Sequence, residues 1–306
     1  MPRHEIVVCT ENNHYMAWQS MLFHPSCVRL LGQAPIFMVH TTDQPLLPGF
    51  ERIRAAGGRL QMAPNYREIN GVSYPPRNTS GTLRHVQTDA DYIVLCDPDM
   101  VFLQPWPWTE LTLKEHQISF DLVGDMDPDR AVYQPSLDDV CRRAGVDPQR
   151  LRNPLFNGGV PHVIPIRQQQ PLSELWLEMM ELFPNVPPVP ITDGGTPSRG
   201  SQLGKKQEWL CSMWALIIAA ERLNLEPVLT RHCISTLFGG RPLPPLTTAG
   251  PWMIHYCYDE DGFRKRGYNT AVAAERDVWT VAPDDGTVCG NIRAQLLQAR
   301  EFYGLF

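Results

Sequence analysis

Short apolar runs alternate with helically spaced ones at the start of this chain, and that order restricts the fold more than any other feature. Glu5 to Thr10 is a β-branched run ending in the polar cluster Glu11-Asn12-Asn13, which predicts a buried strand delivering a loop at its carboxyl end. Tyr15 to Leu31 has helical apolar spacing. Ile36 to His40 reads as a second strand, Leu47 to Ala56 as a short helix ending at Gly57-Gly58, and Arg59 to Ala63 as a third strand. A strand-helix-strand-helix-strand opening predicts a Rossmann-like α/β fold, a mostly parallel sheet flanked by helices that binds ligands beyond the carboxyl ends of its strands. No glycine-rich phosphate loop follows the first strand, which argues against a dinucleotide-binding or P-loop enzyme.

Further along, Thr79 to Gln87 reads as a helix leading into a fourth strand, Asp91 to Cys96. Strands are expected at Phe120 to Gly124, from Asn157 through Ile166, and at Trp252 to Cys257. Helices are expected at Leu172 to Phe183, Glu208 to Leu223 and Asn291 to Phe302, the second of them apolar nearly all round and so central. Between Pro184 and Gln207 lies a dense run of Pro, Gly, Thr and Ser, read as a long loop that is either a disordered insertion or, the favoured reading from its place between site elements, a lid. A second turn-rich stretch runs from Gly239 to Pro251.

Charge narrows the function class. The net charge of -6 and the lack of a Lys/Arg block argue against nucleic acid as a partner, because phosphate contacts need clustered cations. The apolar run at Ile6 to Cys9 is too short for a signal-peptide core or a membrane span, so the expected setting is soluble and cytoplasmic, with the secretory lumen as the alternative for a chain cut from an anchor. Eight scattered cysteines without a CxxC pair fit buried thiols better than a disulfide framework.

The sharpest chemical signal is DYIVLCDPDMVF, where an apolar strand ends in two carboxylates one residue apart, Asp97 and Asp99, able to reach one divalent cation together. Asp-Pro-Asp is also an ordinary turn, but its place after a buried strand of an α/β sheet is where a nucleotide site is expected. His255, in WMIHYCY, is either a hydrogen-bonded core histidine or a third ligand. Downstream, Arg264, Lys265 and Arg266 form either a solvated basic turn or a counter-charge for a departing diphosphate. Asn157-Gly158-Gly159 would let a backbone approach a sugar, or is only a tight turn into a strand. Trp106 and Trp108 read as a sugar-stacking floor or, more commonly, as core aromatics.

These blocks resemble the plant and algal peptide glycosyltransferases that comprise hydroxyproline O-arabinosyltransferases and peptidyl serine alpha-galactosyltransferases. The resemblance rests on Thr10, Tyr15 and Trp18-Gln19-Ser20 after the first strand; YPPRNT from Tyr74 to Thr79; DYIVLCDPDMVFLQP; the Asn157-Gly158 strand; and IHYCY followed by GFRKRGY, all in the family's order. It implies a single GT-A glycosyltransferase domain over residues 1–306, with a nucleotide-binding half at 1–105 and an acceptor-binding half at 106–306 that carries the lid at 184–207. It also implies a UDP-sugar donor, a peptide hydroxyproline or serine acceptor, transfer with retention, and a Mn²⁺ or Mg²⁺ ion held by Asp97, Asp99 and His255. Thr10, Glu11, Arg77, Asn78, Asp97, Asn157, Gly158, Gly159 and Lys265 are then the nucleotide and sugar contacts. Where the family reads Trp-x-x-Glu on its central helix, this chain has Trp209-Leu210-Cys211-Ser212, so the expected carboxylate is a serine. Glu208 falls four residues earlier on the same helical face, and Glu208, Trp209 and Ser212 are the candidate catalytic residues. Two rivals use the same residues: a metal-dependent hydrolase or nucleotidyltransferase, and a non-catalytic glycopeptide binder.

Overall fold

The computed structural model describes residues 2–69, 72–122, 126, 137–183, 199–235, 239–257, 259, 262–282 and 285–305, with the side chains of 69, 72, 109–110 and 199–209 left aside. The fold is mixed α/β, and the chain divides into two compact units. The first comprises Met1–Pro64, Val86–Thr112 and Arg231–Phe306, and the second Asn65–His85 and Leu113–Thr230.

With elements numbered along the chain, the first unit holds strands β1 (His4–Glu11), β2 (Ile36–Thr41), β3 (Arg59–Pro64) and β6 (Tyr92–Cys96). They pair in parallel in the order β6-β1-β2-β3, with Val7 opposite both Ile36 and Leu95. Every residue of β1 is buried, as a parallel strand covered on both faces must be, and the run of β-branched side chains follows from that. Helix α1 (His14–Leu31) crosses back after β1. Its start is fixed by Asn13, whose Oδ1 accepts from the Met16 amide at 2.8 Å, and its end by Gly32, whose φ of 68° is open to glycine at little cost. Helix α2 is Pro48–Ala55, and α7 (Ala271–Glu275) and α8 (Val288–Phe302) complete the unit's helices. A small sheet, β11 (Cys233–Ser235), β12 (Met253–His255) and β7 (Met100–Phe102), is also here, β12 running parallel to β11 and antiparallel to β7.

The second unit pairs β8 (Gln117–Asp121) antiparallel with β9 (Gly159–Pro165) and parallel with β10 (Glu226–Thr230), and adds the hairpin β4 (Glu68–Ile69) with β5 (Val72–Ser73). Its helices are α3 (Arg77–His85), α4 (Leu137–Ala144), α5 (Gln169–Glu181) and α6 (Arg199–Arg222). From Trp214 to Ala220 the central helix α6 is fully buried, as its all-round apolar sequence requires.

Three expectations change. The loop foreseen from Pro184 to Gln207 gives way to helix at Arg199, because Gln202, Leu203 and the lysines after Gly204 are good helix formers that outweigh the two glycines. Residues 184–198, where most of the expected lid falls, lie outside the described residues. The strand foreseen at Phe120 to Gly124 begins earlier, and its described part is Gln117–Asp121, with its ladder to β10 starting at Gln117 opposite Glu226; residues 123 and 124 lie outside the described residues. The strand foreseen at Trp252 to Cys257 is only Met253–His255. None of the eight cysteines forms a disulfide, and six are buried. Among the described residues no helix is long and apolar enough to cross a membrane.

Candidate metal and nucleotide site

Strand β6 is wholly apolar from Ile93 to Cys96, and it releases the chain into Asp97-Pro98-Asp99, where the two aspartates are half-buried between the buried β6 and the buried Met100 to Phe102. The chain then reverses. β7 starts at Met100 and lies antiparallel to β12, with Met100 opposite His255, so the imidazole is carried back to the two carboxylates. Tyr256 locks the corner: its amide donates to the Asp99 carbonyl at 2.9 Å and its hydroxyl to the Pro98 carbonyl at 3.3 Å. Ligand atoms of Asp97, Asp99 and His255 lie within 4.8 Å of one another. His255 Nε2 is 3.4 Å from Asp99 Oδ1 and 3.9 Å from Asp97 Oδ2.

Lys265 joins this group from the turn after β12. Its ammonium contacts Asp99 Oδ2 and stands 5.9 Å from the centre of the Tyr256 ring, and the side chain is 6% exposed. An aromatic wall backs it. Trp18 stacks on Tyr256 at 6.1 Å and meets Phe263 and Tyr268 edge-on, and Tyr15 meets Trp18 at 6.3 Å. Of the expected basic trio, Lys265 alone turns inward; Arg264 and Arg266 are exposed, and Arg266 pairs with Asp259 at 3.2 Å.

The electrostatics follow from crowding charges on side chains that are largely withdrawn from solvent. Burial, and then the neighbouring Asp99, push the Asp97 carboxyl above the usual carboxylate range. For Asp99 burial acts in the same direction, but Lys265 and His255 overrule it and hold the group well below that range. Burial works against a charged His255, yet Cys257 and the two carboxylates outweigh it and raise the imidazole. Two carboxylate oxygens and one imidazole nitrogen make a donor set suited to Mn²⁺ or Mg²⁺, with the nitrogen favouring Mn²⁺. The residues present therefore fit a divalent ion.

At the end of β1, Thr10 and Glu11 are buried. The Thr10 hydroxyl accepts from Ser20 at 3.2 Å, and Glu11 Oε2 accepts from Asn13 Nδ2 at 3.2 Å.

The second unit gathers a different set. Asn78, in the first turn of α3, is 1% exposed; its Oδ1 accepts from the Tyr66 amide at 2.7 Å and its Nδ2 donates to Asn65 Oδ1 at 3.1 Å. Beside it Arg77 is buried, with its Nε lacking a hydrogen-bond partner and its guanidinium 3.6 Å from the exposed Glu181 carboxylate. Ser212 on α6 is also buried. Its amide donates to the Tyr74 hydroxyl at 2.7 Å, its hydroxyl to the Pro76 carbonyl at 3.4 Å, and its carbonyl accepts from Trp176 Nε1 at 2.8 Å. Asn157 is buried just before β9. Gly158 meets α6 so closely that an added Cβ would lie 2.4 Å from Met213 Cβ and 2.9 Å from Met213 Cα, and Gly159 opens β9. The α6 backbone carries Glu208 and Trp209, but their side chains lie outside those described.

Trp106 is 3% exposed among Phe102, Trp108 and His232, and half-buried Trp108 packs on His4 at 4.9 Å, so the core reading of these tryptophans fits their surroundings. Sequence reasoning gave no role to Tyr256 or Tyr74. Both tyrosines sat inside quoted motifs, and the signal for them was an aromatic whose hydroxyl needs a partner when buried.

No family profile matches the sequence, and no curated protein does. Among solved structures, the chain is similar to the apo structure of the bifunctional glycosyltransferase WbbM, at 10% identity and a TM-score of 0.46, over 99% of this chain and 51% of that one. It is also similar to an active-site mutant of LgtC, at 12% identity and a TM-score of 0.48, over 92% of this chain and 98% of that one. This chain thus spans about half the length of WbbM. Neither likeness is strong enough to carry the chemistry of the site, which rests on the residues themselves.

Proposed function

We propose that this chain is a metal-dependent glycosyltransferase of the GT-A type, moving a sugar from a UDP-sugar to a hydroxyl acceptor. The observation that carries the reading is the meeting of Asp97, Asp99 and His255 within 4.8 Å at the carboxyl end of a buried parallel strand. That is where an α/β sheet binds nucleotides. Asp97, Asp99 and His255 would hold Mn²⁺ or Mg²⁺, which when bound supplies charge neutralisation for a departing diphosphate. Lys265 is the second cation for that diphosphate, fixed in place before it arrives. Thr10 and Glu11 are proposed for the nucleoside, and Arg77, Asn78, Asn157, Gly158 and Gly159 for the sugar. Glu208 and Trp209 are proposed to act at the transfer step, with Ser212 holding the Tyr74-Pro76 corner. A peptide hydroxyproline or serine acceptor and retention at the anomeric carbon complete the proposal, supported by the sequence blocks alone.

The serine at position 212 favours one second reading, a glycopeptide binder without turnover. Thermal stabilisation by UDP and a panel of UDP-sugars, with and without Mn²⁺, tests the class, because a ligand of the native state alone must raise its apparent stability. A manganese-dependent shift with one donor is expected, and no shift with any donor sinks the proposal. Product analysis then separates the rivals: a glycosylated acceptor, as against free sugar or nothing.

A further inference from the structure

We infer that Lys265 makes the binding of the divalent ion and of a diphosphate depend on each other, by weakening the ion's hold when it is alone; this deepens, and rests on, the nucleotide-sugar reading of the site. Asp99 divides its two oxygens. Oδ1 lies 3.4 Å from His255 Nε2 and faces the ligand cluster, while Oδ2 is taken by the Lys265 ammonium. An ion among Asp97, Asp99 and His255 therefore receives one oxygen from Asp99, with a fixed positive charge on the other side of the same carboxylate.

The Lys265 side chain is 6% exposed, its ammonium stands over the Tyr256 ring, and behind that ring Trp18 and Phe263 close the wall, so the charge stays beside Asp99. Charge counting gives the sign of the effect. With a neutral ligating imidazole, the two carboxylates and Lys265 sum to one negative charge, so a dication leaves the site positive and short of an anion. Without Lys265 the same dication would leave it neutral. A diphosphate, which bears several negative charges, relieves both cations at once, and so ion and diphosphate each strengthen the other by the same factor, as linkage requires. At an effective dielectric of about 20 the repulsion between a dication and an ammonium on one carboxylate is enough for a change of tenfold or more.

Calorimetric titration of the whole chain with Mn²⁺ alone, UDP alone, and each in the presence of the other tests this. The wild type is expected to bind Mn²⁺ at least about tenfold more tightly with UDP present. In Lys265→Met the affinity for Mn²⁺ alone should rise about tenfold and that for UDP at saturating Mn²⁺ should fall, while Lys265→Arg, which keeps the charge, should retain the wild-type coupling. Equal Mn²⁺ affinity with and without UDP in the wild type overturns the inference, even if Lys265→Met fails to fold. So does a folded Lys265→Met that binds Mn²⁺ alone no better than the wild type. A wild type that binds neither Mn²⁺ nor UDP fails differently, since it removes the nucleotide-sugar reading itself.

Discussion

In the first unit Asp97, Asp99, His255 and Lys265 crowd ionisable groups around one point, whereas in the second unit Tyr74, Asn78 and Ser212 are neutral and spend their hydrogen bonds on nearby backbone and amide groups. The charged group keeps capacity for something added, because two carboxylate oxygens and an imidazole nitrogen converge within 4.8 Å of one another. The neutral group holds shape: the Tyr66 amide on Asn78, the Ser212 amide on Tyr74 and the Ser212 hydroxyl on Pro76 fix a corner of chain. Clustered charge withdrawn from water is costly and persists where a ligand uses it, while buried neutral polar groups are usually structural. Substitutions in the two regions should therefore fail in different ways.

The largest expected effect is Asp99→Ala, which should abolish the manganese-dependent shift by UDP and cut any transfer activity by about a thousandfold or more; it should also lower the melting temperature without ligand, because the buried Lys265 ammonium loses its carboxylate partner. Retained manganese-dependent UDP binding would remove the central claim.

Acid should come next, and it probes both regions. His24, His162 and His232 are buried, and burial lowers them to about 4, about 3 and about 4 respectively. A lowered folded value means the unfolded chain takes the proton first. Stability is then complete above the ordinary histidine value near 6.5 and falls as pH drops toward 4, by roughly 1.4 kcal/mol per pH unit for each histidine. Melts at pH 7.5, 6.0 and 5.0 should show the decline, and His162→Gln should make it shallower while His24 and His232 keep the rest; a melting temperature unchanged across that range refutes the expectation.

Gly158→Ala should cost about 3 kcal/mol or more, since its Cβ would enter the backbone of α6. Denaturant unfolding reads it directly, and a loss under 1 kcal/mol would mean the two segments move apart easily. The smallest effect is expected of Ser212→Ala, about 1 kcal/mol of stability with kcat nearly unchanged. A collapse of kcat at full stability would instead make that hydroxyl a catalytic group and blur the contrast between the regions.

Much of the first unit was legible because its strands are buried on both faces and so appear as unbroken apolar runs, β1, β2 and β6 among them. The short strands were not. Met100–Phe102 and Cys233–Ser235 are too brief to show a period, and Glu226–Thr230 carries a proline that argues against a strand interior. The carboxylate pair could be read directly from its place at a strand end. What the sequence left undecided was whether His255 belonged with it, because that depends on an antiparallel pairing between residues more than a hundred positions apart. The contact of Lys265 with Asp99 was likewise hidden, since three adjacent cations look alike until one of them is buried.

The closeness of Gly158 to Met213 has a bearing on how such a chain can change over time. With no room for even one added carbon, the glycine and the helix face it touches must vary together, and a side chain at 158 becomes tolerable only if the helix loses atoms at 213 or gives ground. Related sequences that carry a larger residue at the position matching 158 should therefore show a compensating loss opposite it, so this one contact marks where the lineage's drift is constrained in pairs.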